Sequence, residues 1–246
     1  MVTRLTLTSA ALLVGIIAVS SADVYVANTE NASVTVYETT AVGDASPIRT
    51  ISGPRTGLVF PMSVTADLEN QELYVADFHG QAIRVFELTA DGDAAPLRTL
   101  VNGSNSNLSQ PRMVALDLIR DEIYVISIND AIRVFPRTAS GDASPTRTIE
   151  GPQTRIDNAV TINVDLLHNE IIVDSYSAGG SNEAGIIVFP RTASGDVHPV
   201  RVIAGSMTQF GGFTNAVDLD LTRDEIYAQG NDGEGVLVFP LSLIHI

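Results

Sequence analysis

Cysteine and lysine are both missing from this 246-residue chain. Without cysteine there is no disulfide, no thiolate nucleophile and no Cys-based zinc or haem motif, and the redox compartment stays open. Without lysine there is no Schiff base and no P-loop amine. All fourteen basic residues are arginine, set against 29 acidic ones for a net charge of −15. That excess leaves no clustered cations for the phosphate backbone of nucleic acid and disfavours anionic membrane surfaces. Neither a G-x-S-x-G elbow nor an H-E-x-x-H motif occurs. Beyond the first 22 residues no run is long and apolar enough to span a bilayer.

What is present is an apolar fraction of 45%, enough for a sizeable core. The opening MVTRLTLTSAALLVGIIAVSSA has the pattern of a secretory signal: Arg4 as the positive end, Leu5 to Val19 apolar, Ser20-Ser21-Ala22 as a cleavage site. That pattern predicts a secreted or periplasmic protein with no stable membrane insertion after cleavage. The alternatives are an innermost strand made by GIIAVSS or an uncleaved anchor.

An internal period dominates the rest. Gly-Asp recurs at Gly43-Asp44, Gly92-Asp93, Gly141-Asp142 and Gly195-Asp196, at steps of 49, 49 and 54 residues, and Arg49, Arg98, Arg147 and Arg201 follow in register. A second landmark is Asp67, Asp117, Asp165 and Asp220, each five residues before Glu72, Glu122, Glu170 and Glu225. Within one unit, MSVTADL (62–68), ELYVAD (72–77), AIRVFEL (82–88) and LRTLV (97–101) read as strands parted by turn residues. The middle strands are apolar on both sides of the pleat, so both faces need cover, as radially packed blades supply. The predicted fold class is an all-β β-propeller of four-stranded blades.

The units SVTVYETTAVGDASPIRTISGPRTGL and ELYVAD resemble the NHL-type propeller repeats of bacterial extracytoplasmic proteins, over Asp23 to Pro240. The resemblance implies a fold more than an activity, since that family includes lyases, lactonase-like enzymes and binding scaffolds. After VFP at 134–136 and 188–190 the chain continues RTASGD, whereas after 238–240 it reads LSLIHI. LSLIHI is similar to the read-through of a transposon-based sequencing adapter, so residues 241–246 are expected to be foreign to the natural protein. Counting units as 23–52, 62–101, 112–150, 158–204 and 214–240 predicts about four and a half blades, a fragment of a six-bladed ring.

Residues present in every unit cannot alone define one site. The Asp67 series is therefore expected to cap turns, and the Arg49 series to pair with carboxylates or carbonyls of the adjacent blade. Function is expected where the repeat breaks: NTENAS (28–33), DFHGQ (77–81), SINDA (127–131), DSYSAGGSNEAG (174–185) and QGNDGEG (229–235), on the face shared with the inter-blade connections. That face carries the candidate ligand- or partner-binding residues Asp77, His79, Asn129, Asp130, Asp174, Tyr176, Glu183, Asn231, Asp232 and Glu234. The ligand is a protein, a glycan or a small molecule. Oxygen ligands at this density make calcium the candidate cofactor. Distant similarity to gluconolactonase-like propellers implies a divalent metal at the channel mouth, near Arg112, Asn158 and Asn215, that polarises a lactone carbonyl; an arginine there opposes a cation. Three readings follow: a binding scaffold, a calcium-dependent lactone hydrolase or lyase, and a structural repeat of the envelope.

Overall fold

The computed structural model describes residues 23–176, 178, 184–210, 214–230 and 235–241, with backbone only at 214, 215 and 230. Its strands form five antiparallel sheets, each consecutive in sequence. Blade 1 holds β1 (Val24–Asn28), β2 (Ser33–Tyr37) and β3 (Arg49–Ile51). Blade 2 holds β4 (Pro61–Asp67), β5 (Glu72–Asp77), β6 (Ala82–Glu87) and β7 (Arg98–Val101). Blade 3 holds β8 (Pro111–Asp117), β9 (Glu122–Ser127), β10 (Ala131–Pro136) and β11 (Arg147–Glu150). Blade 4 holds β12 (Ile162–Asp165), β13 (Glu170–Ser175), β14 (Gly185–Pro190) and β15 (Arg201–Ala204). Blade 5 holds β16 (Thr214–Asp220), β17 (Glu225–Gly230) and β18 (Val236–Pro240).

The chain is thus a β-propeller of five blades with three or four strands each. This corrects the expectation of about four and a half four-stranded blades cut from a six-bladed ring. The reason is that three antiparallel strands already make a sheet with a face to bury. Blade 1 buries Val34 and Ile51 against blade 2, and blade 5 buries Ile226 and Ala228 against blade 4. A second correction concerns blade 4, whose first strand begins at Ile162 rather than near 158. Asn158 takes a left-handed φ of 48°, so the segment before Ile162 turns instead of pairing. The proposed signal segment 1–22 and the tail residues 242–246 lie outside the described residues. Leu241 is buried, and its N–H donates to Asp224 O as those of Arg137 and Arg191 donate to Asp121 and Asn169 in earlier blades.

Alternation along each strand sends one set of side chains toward the preceding blade and the other toward the next. Four apolar clusters result, one at each blade–blade interface. Between blades 2 and 3, Tyr74, Ala76, Ile83, Val85 and Leu100 meet Val114, Ile123, Val125 and Phe135. Each fully buried side chain of this size contributes about 1.5–3 kcal/mol.

The repeated polar residues tie the same interfaces. Gly92, Gly141 and Gly195 each bridge the outer strand of the preceding blade, at Ile51, Leu100 and Ile149. The aspartate that follows caps that blade's next turn: Asp93 accepts from Arg55 N–H, Asp142 from Ser106 N–H and Asp196 from Gln153 N–H. At the opposite end of the blades, where the outer strand begins, Arg98 forms two hydrogen bonds with Glu72 and donates to Arg137 O of the next blade. Arg147 repeats this with Glu122 and Arg191 O. Arg49, Arg98 and Arg147 therefore each pair with a carboxylate of their own blade and a carbonyl of the next, and Arg201 pairs with Glu170 of its own blade. Asp67, Asp117, Asp165 and Asp220 accept from the N–H three residues on, the expected turn caps.

Candidate functional site

The other end of the blades is built differently. Phe78 N–H donates to Phe60 O, and Asn102 N–H donates to Gln81 O. The loop between the second and third strands therefore lies beside the inter-blade connections. This loop end carries the segments that vary between blades, whereas the lattice end carries the repeated ion pairs.

In blade 2 the loop end presents an aromatic knot. The His79 ring lies 4.4 Å from that of Phe60 and 5.0 Å from that of Phe78, and the two phenylalanines are 6.1 Å apart. Val59 and Met62 extend the apolar patch, at 53% and 38% exposure. Beneath it Asp77 is fully buried and acts as the frame. It accepts from Phe60 N–H at 2.7 Å and Gly80 N–H at 3.3 Å, and takes the Arg84 Nε–H at 2.9 Å. A candidate ligand group in the sequence, Asp77 is committed to holding both loops in the structure.

At the channel mouth, register irregularities skip Met62, Arg112 and Asn215 at the start of the first strands of blades 2, 3 and 5. Bulges of this kind re-aim a side chain out of the pleat. Arg112 reaches across to blade 4: its Nη1 donates to Asn158 O (3.0 Å) and Ala159 O (2.8 Å), and Nη2 donates to Asn158 Oδ1 (2.8 Å). Asp130 accepts from Asn158 N–H at 2.7 Å, so one residue joins the blade 3 loop to the mouth arginine. Burial raises the Asp130 carboxyl above its usual range and Asp157 adds to this, while the Asn158 N–H and Arg112 pull it down. Asn129 accepts from the buried Arg133 at 2.9 Å. Tyr176 is half-buried, its N–H bonded to Asp157 O. Glu183, Asn231, Asp232 and Glu234 lie outside the described residues, as does the side chain of Asn215.

Asp174 is buried in blade 4, where Ala76 and Ile126 stand in blades 2 and 3. Its Oδ1 accepts from Val160 N–H (2.8 Å) and Thr161 N–H (2.7 Å), fixing the approach to β12. Burial pushes its pKa up to about 6, against the pull of those donors. A raised folded-state pKa means the ionised form weakens the fold at neutral pH. The stability linked to Asp174 is fully present below its unfolded value near 3.8 and is lost as pH rises through about 6. Asp174→Asn keeps the accepting oxygen and cannot ionise. It should raise stability at pH 8 by roughly 1–2 kcal/mol and flatten the Tm profile between about pH 4 and 6, whereas Asp174→Ala should lower Tm throughout. Thermal melts of the three proteins across pH check this.

The described mouth does not fit calcium. The side-chain oxygen of Asn158 that would face a cation accepts from a guanidinium, and among the described residues no three acidic or histidine side chains converge. Phe60 and Phe78 were not among the candidate residues; the available signal was an aromatic pair flanking the β4–β5 hairpin, with a histidine next to the second.

No protein-family model matches the sequence, and no curated protein matches it. Among solved structures the chain is similar to hydrazine synthase from Kuenenia stuttgartiensis, with a TM-score of 0.61 at 13% identity over 84% of this chain and 51% of that one. This chain therefore spans about half the length of that structure's chain, and the likeness concerns the propeller fold alone.

Proposed function

We propose that this chain is an NHL-type extracytoplasmic propeller serving as a rigid scaffold that binds a ligand or protein partner through its loop end. The observation that carries the proposal is the contrast between the two ends. On the lattice end the repeated Glu, Tyr and Arg side chains are spent on one another, as Glu72, Tyr74, Arg98 and Arg137 are. On the loop end each blade presents its own chemistry: an aromatic knot with His79 in blade 2, and the Arg112–Asn158–Asp130 bridge between blades 3 and 4. Half-exposed aromatic rings packed on one another in one blade, and a guanidinium fixed by carbonyls in the next, are pre-organised for binding, because little side-chain entropy remains to be lost. The signal-like residues 1–22 support action outside the cytoplasm.

The test compares three immobilised proteins against an envelope extract and a glycan array: wild type, a loop-end variant (Phe78→Ala, His79→Ala, Arg112→Ala), and the lattice-end variant Ser140→Ala. Ligands retained by wild type and Ser140→Ala but lost by the loop-end variant are the expected result. Equal retention by all three would sink the assignment of the binding end.

A further inference from the structure

Arg112 is held in a way that leaves its charge available. Most described arginines pair with a carboxylate, as Arg84, Arg98 and Arg191 do with Asp77, Glu72 and Asp117. Arg112 pairs with none among the described residues: its bonds go to Asn158 O, Ala159 O and Asn158 Oδ1, all neutral. Two carboxylates stand near enough to feel its charge, Asp130 and Asp174. Both are turned to backbone instead, Asp130 to Asn158 N–H and Asp174 to the N–H groups of Val160 and Thr161. Segment 158–161 is therefore a cradle. Carboxylates fix its N–H groups, its carbonyls fix the guanidinium, and Asn158 takes its left-handed φ of 48° within it. A guanidinium has five N–H donors. With both Nη1 hydrogens and one Nη2 hydrogen used, Nε–H and the adjacent Nη2–H remain, the side-on edge that matches a carboxylate.

The neighbour of that arginine around the mouth is apolar. Thr65 Oγ1 donates to Val114 O at 2.7 Å, so β4 and β8 run side by side. Met62 and Arg112 are the bulged residues at the same position of these two strands. Met62 is exposed, and Phe60, packed on His79, precedes the same strand. We propose that the mouth binds a small organic monoanion, its carboxylate on the Nε–Nη2 edge of Arg112 and its apolar tail over Met62 toward Phe60. One guanidinium on a chain of net charge −15 favours a single negative charge over the two of a phosphate monoester. The inference rests on the loop end being the binding end, and names the class of ligand that end takes.

Nuclear magnetic resonance of the full chain, isotope-labelled at arginine nitrogen, tests this at the Arg112 Nε–H resonance. The probes are hydrocinnamate, its neutral amide, and acetate. Hydrocinnamate should shift that resonance saturably and the amide should leave it in place. Acetate should need about tenfold more, because it lacks the tail that covers Met62. Met62→Ala, at an exposed position, should weaken hydrocinnamate binding several-fold and leave that of acetate unchanged. No shift with hydrocinnamate, or an equal shift with the amide, overturns the site. The acid–amide comparison is made on wild type, so it holds whatever a substitution does to the fold. Calorimetry adds a second reading: hydrocinnamate affinity unchanged in Arg112→Gln also overturns the site. The loop-end reading falls or stands separately. Ligands from the envelope extract that need Phe78 and His79, yet bind Arg112→Gln undiminished, would overturn the carboxylate site and leave that reading intact.

Discussion

Glu72→Ala should lower the stability of the protein by about 3 kcal/mol, a drop of about 6–12 °C in Tm. Its carboxylate receives both Arg98 Nη groups, the Tyr74 hydroxyl and Arg137 Nη1 from the next blade, at 2.5–2.8 Å. Truncation leaves two guanidinium groups facing each other in a site where each is about 15% exposed. The loss is far larger than for an open surface pair, which is worth ~0–1 kcal/mol. The Arg98 hydrogen bonds, more than burial opposes them, hold the Glu72 pKa down at about 2. A depressed folded-state value places this stabilisation above the usual carboxylate range, to be lost as pH falls from about 4.5 toward 2. The wild-type acid-unfolding curve should steepen in that window, and the Glu72→Ala curve should be flatter there. Chemical denaturation at pH 7 and pH 3 checks both. An equal loss at the two pH values would contradict the ionic origin.

Gly151→Ala should cost about 2–3 kcal/mol through a different cause. Gly151 has φ 131°, a conformation essentially confined to glycine, and a Cβ there would overlap the Asp196 carboxylate of the next blade. That carboxylate caps Gln153 N–H at 2.7 Å while Gly195 bridges Ile149. Strain and clash therefore fall on the clamp joining blades 3 and 4. Combining Gly151→Ala with Asp196→Ala removes the overlap with the carboxylate but keeps the backbone strain and the 2.7 Å approach to the Asp196 Cβ, so the double variant should recover part of the loss expected from summing the single variants. Urea midpoints of the four proteins measure this coupling; strict additivity would show that the two residues do not meet.

The clamp showed in the sequence only as a repeated Gly-Asp pair, because Asp142 and Asp196 accept from N–H groups 36 and 43 residues away in the preceding blade. The turn caps were legible because they are local and repeated: Asp67, Asp117, Asp165 and Asp220 each accept from the N–H three residues on. The strands of blade 2 were placed to within a residue or so for the same reason. The blade count was not legible: periodicity marks repeats, but it does not show that three strands at either side already pack as a blade. The mouth residues Arg112 and Asn158 were named from the sequence, but the bridge between them was hidden for geometric reasons. Arg112 and Asn158 are 46 residues apart, and a bulge at Arg112 leaves no trace in apolar alternation. Asp174 was half-visible, as a carboxylate at a register position that is apolar in blades 2 and 3, yet its partners Val160 and Thr161 offer only backbone N–H groups.

Hydroxyl-radical footprinting of the full-length chain, free and with a retained ligand, reads the two ends of the blades at once. Protection at Phe60, Phe78, His79 and Met62, with the exposed Leu68 and Ile119 at the lattice end unchanged, is the result expected of a scaffold that binds through its varied loops. Protection confined to the lattice end, with the aromatic knot as reactive as in the free protein, would contradict it.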